Sequence, residues 1–164
     1  MTGDTYIKIT GLLRNHPGRI RLIKIANNAL TGFVFFLYPA FLLTLYLQKN
    51  PFLWRATLIP ASTFAAVSLF RRILNVPRPY EKFGVQPALE KDSSGKSFPS
   101  RHVFSIFVIA VTVFRIYPAA GSLLAVAGVI LGLIRVVGGV HEPRDVIAGG
   151  LIGIASGVIG YYLI

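Results

Sequence analysis

Long apolar stretches separated by short polar segments dominate this chain. Five of them are recognisable, at residues 28–47, 52–70, 103–117, 122–134 and 146–164. About 20 residues of α-helix cross a hydrocarbon core of about 30 Å, so the longer stretches span a membrane outright and the shorter ones span it with their flanks. The pattern therefore predicts an all-α, polytopic membrane helical bundle with five transmembrane helices.

The first 27 residues follow a different pattern, in which lysine and arginine alternate with isoleucine and leucine. This mixture is typical of a basic amphipathic segment that lies in the membrane interface. We expect residues 1–27 to form such an interfacial segment and residues 28–164 to form the transmembrane core. Because no long linker divides the chain, residues 1–164 are interpreted as one membrane-embedded domain.

Composition strengthens the membrane interpretation. Apolar residues make up 54% of the chain and charged residues 14%, against about 25% charged in an average soluble domain. The net charge is +11, and in so apolar a chain such an excess normally flanks membrane spans, so the expected partner is the bilayer and no nucleic acid. The absence of cysteine excludes a disulfide framework, a thiolate metal site and a cysteine nucleophile.

Ionisable residues are unevenly divided between the two sides of the predicted bundle. Of 17 basic residues, all but Lys49, Arg55 and Arg115 fall on the side that holds the N-terminal segment and the polar segments 71–101 and 136–143. All six acidic residues and all three histidines fall there too. This concentration predicts the functional site on that face, and the positive-inside rule predicts that the face is cytoplasmic.

Three polar clusters on that face each lie at a predicted helix end. They contain Arg71 and Arg78 after the second span, Ser100 and His102 before the third, and Arg135, His141 and Asp145 between the last two. Arginine offers a fork of charged donors that suits phosphate oxygens, and helix N-termini opened by Ser100 and Pro143 add backbone N–H groups. The clusters therefore predict a phosphate-binding site.

Histidine supplies the remaining chemistry, because a neutral imidazole can attack a bound phosphoryl group while an imidazolium protonates the departing oxygen. Asp145 follows His141 by one helical turn and can orient its ring, which makes His141 the expected nucleophile and His102 the expected acid. His16 lies in the basic segment and is expected to have no catalytic role. The neighbouring arginines would repel a divalent cation, so we expect no metal and no other cofactor.

Glycines at four-residue spacing mark the last two predicted helices. Gly149, Gly153 and Gly157 form one such face and Gly128 and Gly132 form another. Small residues at this spacing let helix backbones approach closely in lipid. We interpret these faces as packing surfaces without a catalytic role.

With these residues identified, the sequence resembles the type 2 phosphatidic acid phosphatase superfamily of integral-membrane lipid phosphatases. That family's signature, K-x6-R-P, then P-S-x-H, then S-R-x5-H-x3-D, is matched here by residues 71–79, 99–102 and 134–145. The resemblance implies that His102 protonates the leaving group and that His141, assisted by Asp145, forms a phosphohistidine intermediate without a metal ion. It also implies that the phosphate is bound by four residues, Arg71, Arg78, Ser100 and Arg135.

The match also has departures. Arg71 replaces the usual lysine, Ile134 replaces the small serine, and Arg101 stands where the family often has glycine. Arg101 adds a cation beside the site that could contact a second phosphate or the headgroup. Many bacterial relatives have six spans, so the N-terminal segment is expected to take the place of one helix, and a bacterial plasma membrane is the expected location.

Three functions remain compatible with the sequence. The leading one is hydrolysis of a terminal phosphate from a membrane lipid such as phosphatidylglycerophosphate, phosphatidic acid or a prenyl diphosphate. The others are vanadium haloperoxidase-like oxidation and a non-catalytic lipid-binding role. The sequence fixes neither the lipid nor the oligomeric state.

Overall fold

The computed structural model describes residues 2–14, 16–84, 86–89 and 94–163, and within them it contains helices and no strand. The helices are α1 (Gly3–Arg14), α2 (Pro17–Leu47), α3 (Phe52–Leu74), α4 (Pro79–Phe83), α5 (Arg101–Phe114), α6 (Pro118–Val137) and α7 (Pro143–Val158), with a π-helical extension of α7 at Ile159–Leu163. The predicted all-α class is confirmed.

Four helical segments are long and apolar enough to cross a membrane. They are Pro17–Leu47, Phe52–Phe83, Pro118–Val137 and Pro143–Leu163. Large apolar side chains point outward along them, and Phe36, Trp54 and Leu151 are each more than 60% exposed. Such a surface is unsuited to water and suits lipid chains. The protein is an integral membrane helical bundle.

The third predicted span, residues 103–117, corresponds to α5 at Arg101–Phe114, so the described part of the chain has four long apolar helices and one short one instead of five of similar standing. Helix α5 has 14 residues and is therefore about 21 Å long, less than the hydrocarbon core. It begins at Arg101, after Pro99 and Ser100, and ends before Arg115. It is also the central helix, packed mainly against α6 and α7 with most of its side chains buried.

The N-terminal segment predicted over residues 1–27 contains two helical parts. It is divided into α1 and the first part of α2, because Pro17 opens a new helix whose apolar residues run on into the span. Helix α1 packs on the rest of the protein. The Tyr6 ring lies 5.4 Å from that of Phe83, and the Tyr6 hydroxyl donates a 3.1 Å hydrogen bond to the Gly139 carbonyl.

Helices α5 and α7 approach at the level of the main chain, as the glycine spacing predicts. A Cβ atom placed at Gly149 would lie 2.5 Å from the Ser100 carbonyl oxygen, and one at Gly153 would lie 2.6 Å from the Phe104 carbonyl oxygen. Any side chain at these two positions would force the helices apart. The glycines thus bring the N-terminal ends of α5 and α7 together, where the polar clusters lie.

Candidate active site

The site lies where α3 and α6 end and where α5 and α7 begin. Ser100 is the N-cap of α5, and its backbone N–H donates a 2.7 Å hydrogen bond to the carbonyl of Asp145 in the first turn of α7. Six of the predicted site residues are buried at this junction. They are Arg71, Arg78, Ser100, Arg135, His141 and Asp145. The two others, Arg101 and His102, are less buried and line a cleft beside the junction.

The predicted pair of histidine and carboxylate is present. His141 Nδ1 lies 3.5 Å from Asp145 Oδ2, and both side chains are 1% exposed. The backbone N–H of Glu142 donates a 3.0 Å hydrogen bond to the same carboxylate oxygen. The carboxylate is therefore held by the start of its own helix and can orient the imidazole ring.

Ser97 completes this arrangement and was not predicted from the sequence. Its hydroxyl donates a 2.5 Å hydrogen bond to Asp145 Oδ2 and lies 3.4 Å from His141 Nδ1, and the side chain is 1% exposed. The only sequence signal is its place three residues before Ser100, in the same short segment between α4 and α5.

The ring of His141 is held neutral. Burial lowers the pKa of His141 from its ordinary value near 6.5 to about 3, and the nearby positive charges of Arg135 and Arg78 lower the pKa further, against the opposing effect of Asp145. A neutral imidazole with one nitrogen facing Asp145 keeps a lone pair on its other nitrogen. That is the protonation state a nucleophile needs.

The buried arginines offer several donors that the protein itself does not use. Arg78 Nη1 donates to the Val140 carbonyl at 3.0 Å, and Arg135 Nη1 donates to Asn27 Oδ1 at 3.0 Å. The remaining atoms Arg78 Nε, Arg135 Nε, Arg135 Nη2 and Ser100 Oγ are buried without a hydrogen-bond partner. A serine N-cap normally bonds its own helix, but the Ser100 hydroxyl makes no such bond. These four atoms form a buried set of anion donors, here called the anion cradle.

Asn27, which accepts the hydrogen bond from Arg135, is the second site residue that was not predicted from the sequence. It belongs to α2, within the stretch interpreted as interfacial, and it holds a residue 108 positions away in the chain. No sequence motif distinguishes Asn27 from the other polar residues of that stretch, and its role becomes visible only in the fold.

Arg71 occupies a different place from the cradle. Its guanidinium donates to three carbonyls of the segment before α5, those of Lys96, Ser97 and Pro99. It thus fastens the segment that carries Ser97 and Ser100. Direct contact between Arg71 and phosphate stays a prediction.

His102 and Arg101 line a mostly apolar cleft of about 420 Å³ between α2, α3, α5 and α6. Arg101 and His102 directly follow Ser100 of the anion cradle in the chain, and other lining residues belong to the membrane-spanning helices α2, α3 and α6. The lining of the cleft is rich in aromatic and aliphatic side chains, including Phe35, Tyr38 and Phe64. A lipid chain attached to a phosphate in the cradle would fit such a surface.

Fold and site together define a class of protein, namely an integral-membrane helical bundle with a buried arginine and serine cradle beside a histidine–carboxylate pair. Residues 52–164 match the PAP2 superfamily, and the chain belongs to this family. The matched residues contain all three motif clusters.

Solved structures confirm the fold. The crystal structure of LpxE from Aquifex aeolicus superposes with a TM-score of 0.75 at 24% identity, covering 96% of this chain and 92% of that one. The first transmembrane PAP2-type phosphatidylglycerolphosphate phosphatase from Bacillus subtilis superposes with a TM-score of 0.72 at 22% identity, covering 96% and 82%.

A curated relative is similar over part of its length. The bacitracin transport permease protein BcrC of Bacillus licheniformis is 33% identical over 86 residues, which are 51% of this chain and 42% of that protein. This chain therefore matches less than half of that relative.

Proposed function

We propose that the protein hydrolyses the terminal phosphate of a membrane lipid phosphate or diphosphate without a metal ion. The observation that carries the proposal is the anion cradle, whose four unpartnered donor atoms lie beside a neutral, carboxylate-oriented histidine. A buried polar group without a partner costs about 1–3 kcal/mol, and a bound phosphoryl group would satisfy several at once.

The proposed reaction has two steps. His141 forms a bond to phosphorus through its free ring nitrogen while the bond from phosphorus to the lipid oxygen breaks, and His102 gives its proton to that departing oxygen. Asp145 stabilises the positive charge that grows on the His141 ring. Water then attacks the phosphohistidine, His102 takes the water's proton, and inorganic phosphate leaves with His141 neutral again.

Substrate enters in this proposal from the bilayer, with its chain in the apolar cleft beside His102. Phosphatidylglycerophosphate, phosphatidic acid and prenyl diphosphates all carry the terminal phosphoryl group that the cradle fits. The Bacillus subtilis structure is that of a phosphatidylglycerolphosphate phosphatase, which supports phosphatidylglycerophosphate as a candidate substrate. At 22% identity the similarity itself concerns the fold alone.

The active site is proposed to face the cytoplasm of a bacterial cell. Without Arg71, Arg78 and Arg135, which belong to the site, 11 basic residues remain on the active-site face against three on the other. In short loops such an excess of positive charge marks the cytoplasmic side.

The test is release of inorganic phosphate from these three lipids and a prenyl monophosphate, in liposomes with excess EDTA. His141→Gln is the matched control. We expect release by the wild-type protein with at least one lipid, no release by His141→Gln, and inhibition by vanadate. Release that requires added magnesium would contradict the metal-free mechanism, and no release from any lipid would contradict the proposed activity.

A further inference from the structure

Arg101 lies at the start of α5 and its guanidinium faces into the apolar cleft. It lies 5.3 Å from the centre of the Phe64 ring, a cation–π contact, and both residues line the cleft together with His102. Within the part of the chain that the structure describes, no carboxylate forms an ion pair with Arg101. The cleft therefore contains a charge that the protein balances only with an aromatic face.

The guanidinium reaches from the first turn of α5 to Phe64, which lies on α3 nearer the middle of the membrane than Arg71. Phe64 precedes Arg71 by seven residues on α3, which corresponds to about 10 Å along the helix. The segment that Arg71 fastens belongs to the site junction, so Phe64 lies toward the lipid interior from it. Arg101 therefore connects the junction, where α5 begins, with the apolar part of the cleft.

Thr31 lines the cleft from α2. It follows Asn27 by four residues on α2, one helical turn or about 6 Å farther from the contact between Asn27 and Arg135. Its hydroxyl is buried and has no hydrogen-bond partner, although a helical threonine commonly bonds the carbonyl four residues earlier. One charged donor and one neutral donor thus belong to residues that line the same cleft.

We infer that Arg101 and Thr31 bind a second phosphoryl group of the substrate, placed between the scissile phosphate and the lipid tail. A lipid whose phosphate lies in the cradle and whose tail lies in the cleft must pass these two residues, and an anion between them would satisfy both donors at once. A charge in a membrane protein is expensive unless it is paired, which favours a function for Arg101 over a passive position. The inference rests on the proposed function, since it assumes that the cradle holds the terminal phosphate.

Two lipid classes carry this shared chemistry. In a prenyl diphosphate the second phosphoryl group is directly bonded to the first through oxygen, and in phosphatidylglycerophosphate it is the phosphodiester beyond the glycerol. Prenyl monophosphate and phosphatidic acid are the matched lipids that lack it. The protein is therefore expected to prefer the two-phosphoryl member of one or both pairs.

The experiment compares the four lipids, with matched chains within each pair, on the wild-type protein and on Arg101→Gln, Arg101→Lys and Thr31→Val. Arg72→Gln is the control, because Arg72 is exposed at the same end of α3 and does not line the cleft. Two readouts are used: kcat/KM for phosphate release, and displacement of a fluorescent prenyl diphosphate or phosphatidylglycerophosphate in a His141→Gln background, where turnover is not needed.

We expect Arg101→Gln to weaken both readouts about tenfold or more for a two-phosphoryl lipid, as a charge-assisted hydrogen bond predicts, and less than about twofold for its partner. Arg101→Lys retains most of the preference, Thr31→Val loses part of it, and Arg72→Gln loses none. The pair that responds identifies the substrate class.

Equal weakening of both members of each pair, or no weakening of either, overturns the inference. The displacement assay distinguishes failure of this inference from failure of the proposed function. A wild-type protein that releases no phosphate refutes the proposed activity, while a preference for two-phosphoryl lipids that depends on Arg101 still supports the second site.

Discussion

Ser97 Oγ lies 2.5 Å from Asp145 Oδ2, and this carboxylate oxygen lies 3.5 Å from His141 Nδ1. The serine comes from the segment before α5 and the other two residues from the start of α7. The orientation of His141, the proposed nucleophile, therefore depends on a contact between two separate elements. Arg71, which donates to the carbonyl of Ser97, fastens the first of them.

The contact between Ser97 and Asp145 predicts a loss of turnover in Ser97→Ala. A hydrogen bond to a charged group contributes about 1.5–3 kcal/mol, so kcat should fall about tenfold or more while KM changes little. Ser97→Thr, which keeps the hydroxyl, should recover part of the loss. Steady-state kinetics on a lipid substrate measure the effect, with exposed Ser94→Ala as the control. A rise in KM at constant kcat would mean that Ser97 positions substrate instead.

The assignment of His102 as the acid predicts that its importance depends on the leaving group. General acid catalysis typically contributes about 10² to 10⁴ in rate and matters least when the departing oxygen leaves easily. His102→Ala should therefore lose far more activity on an alkyl phosphate than on an aryl phosphate, whereas His141→Ala should be inactive on both. Equal losses by His102→Ala on the two substrates would contradict the assignment.

The lowered pKa of His141 predicts that its ring stays neutral in mildly acidic solution. The folded pKa is about 3, below the ordinary value near 6.5, so the ring should stay neutral as the pH falls from 7 to 5. In the unfolded chain the ring takes up a proton over this range, and stability due to this group should decrease as the pH falls below about 6.5. Histidine labelled with ¹⁵N reports the ring state, with His141→Gln used to assign the signal. A His141 ring that is protonated at pH 6 would contradict the buried neutral nucleophile.

The hydrogen bond between Asn27 and Arg135 predicts weaker substrate binding in Asn27→Leu. Without the amide oxygen, Arg135 loses the contact that aims its remaining donors into the cradle. We expect KM to rise about tenfold with a smaller change in kcat, consistent with loss of one hydrogen bond to a charged group. Gln48→Leu, at the exposed C-cap of the same helix, is the control and should behave as wild type.

Close packing between α5 and α7 predicts that Gly153→Ala destabilises the protein. The added methyl would lie 2.6 Å from the Phe104 carbonyl oxygen and 3.1 Å from the Val108 nitrogen, both main-chain atoms that cannot move independently. The expected cost is about 1–3 kcal/mol, measured as thermal unfolding in detergent. Gly32→Ala is the matched helical control, since nothing lies within 4 Å of its added methyl. That variant should be neutral or slightly more stable.

Membrane sidedness is open to direct labelling because the chain has no cysteine. Ser94 is exposed beside the active site, whereas its neighbour Gly95 has a φ of +63° and a side chain there would meet Asn75. Ser94→Cys should therefore accept a thiol without strain. We expect protection from a membrane-impermeant thiol reagent in intact cells and labelling after lysis. Labelling before lysis would place the site on the outer face.

Helix positions and the motif clusters could be predicted from the sequence because each depends on local pattern. Apolar stretches define helices, and Ser100 and Pro143 mark helix starts through their own conformational preferences. Helix α5 was located to within three residues at each end, but hydropathy does not show that Arg71 holds the preceding segment inside the bundle. Ser97 and Asn27 were missed for a related reason, since each matters through a partner distant in the chain.

The main-chain contact between α5 and α7 has a consequence for how the protein responds to its surroundings. The helix bearing His102 and the helix following His141 are joined by the hydrogen bond from Ser100 to Asp145 and by glycine contacts. Lipid touches the outward faces of the long helices, including that of α7, whereas the glycine face of α7 that contacts α5 is buried. A thicker, stiffer or colder bilayer is therefore expected to tilt or bend the outer helices before it alters the spacing of the two histidines proposed to react. The chemical step should keep its rate across membranes whose fluidity differs, and such membranes should affect mainly how lipid enters and leaves.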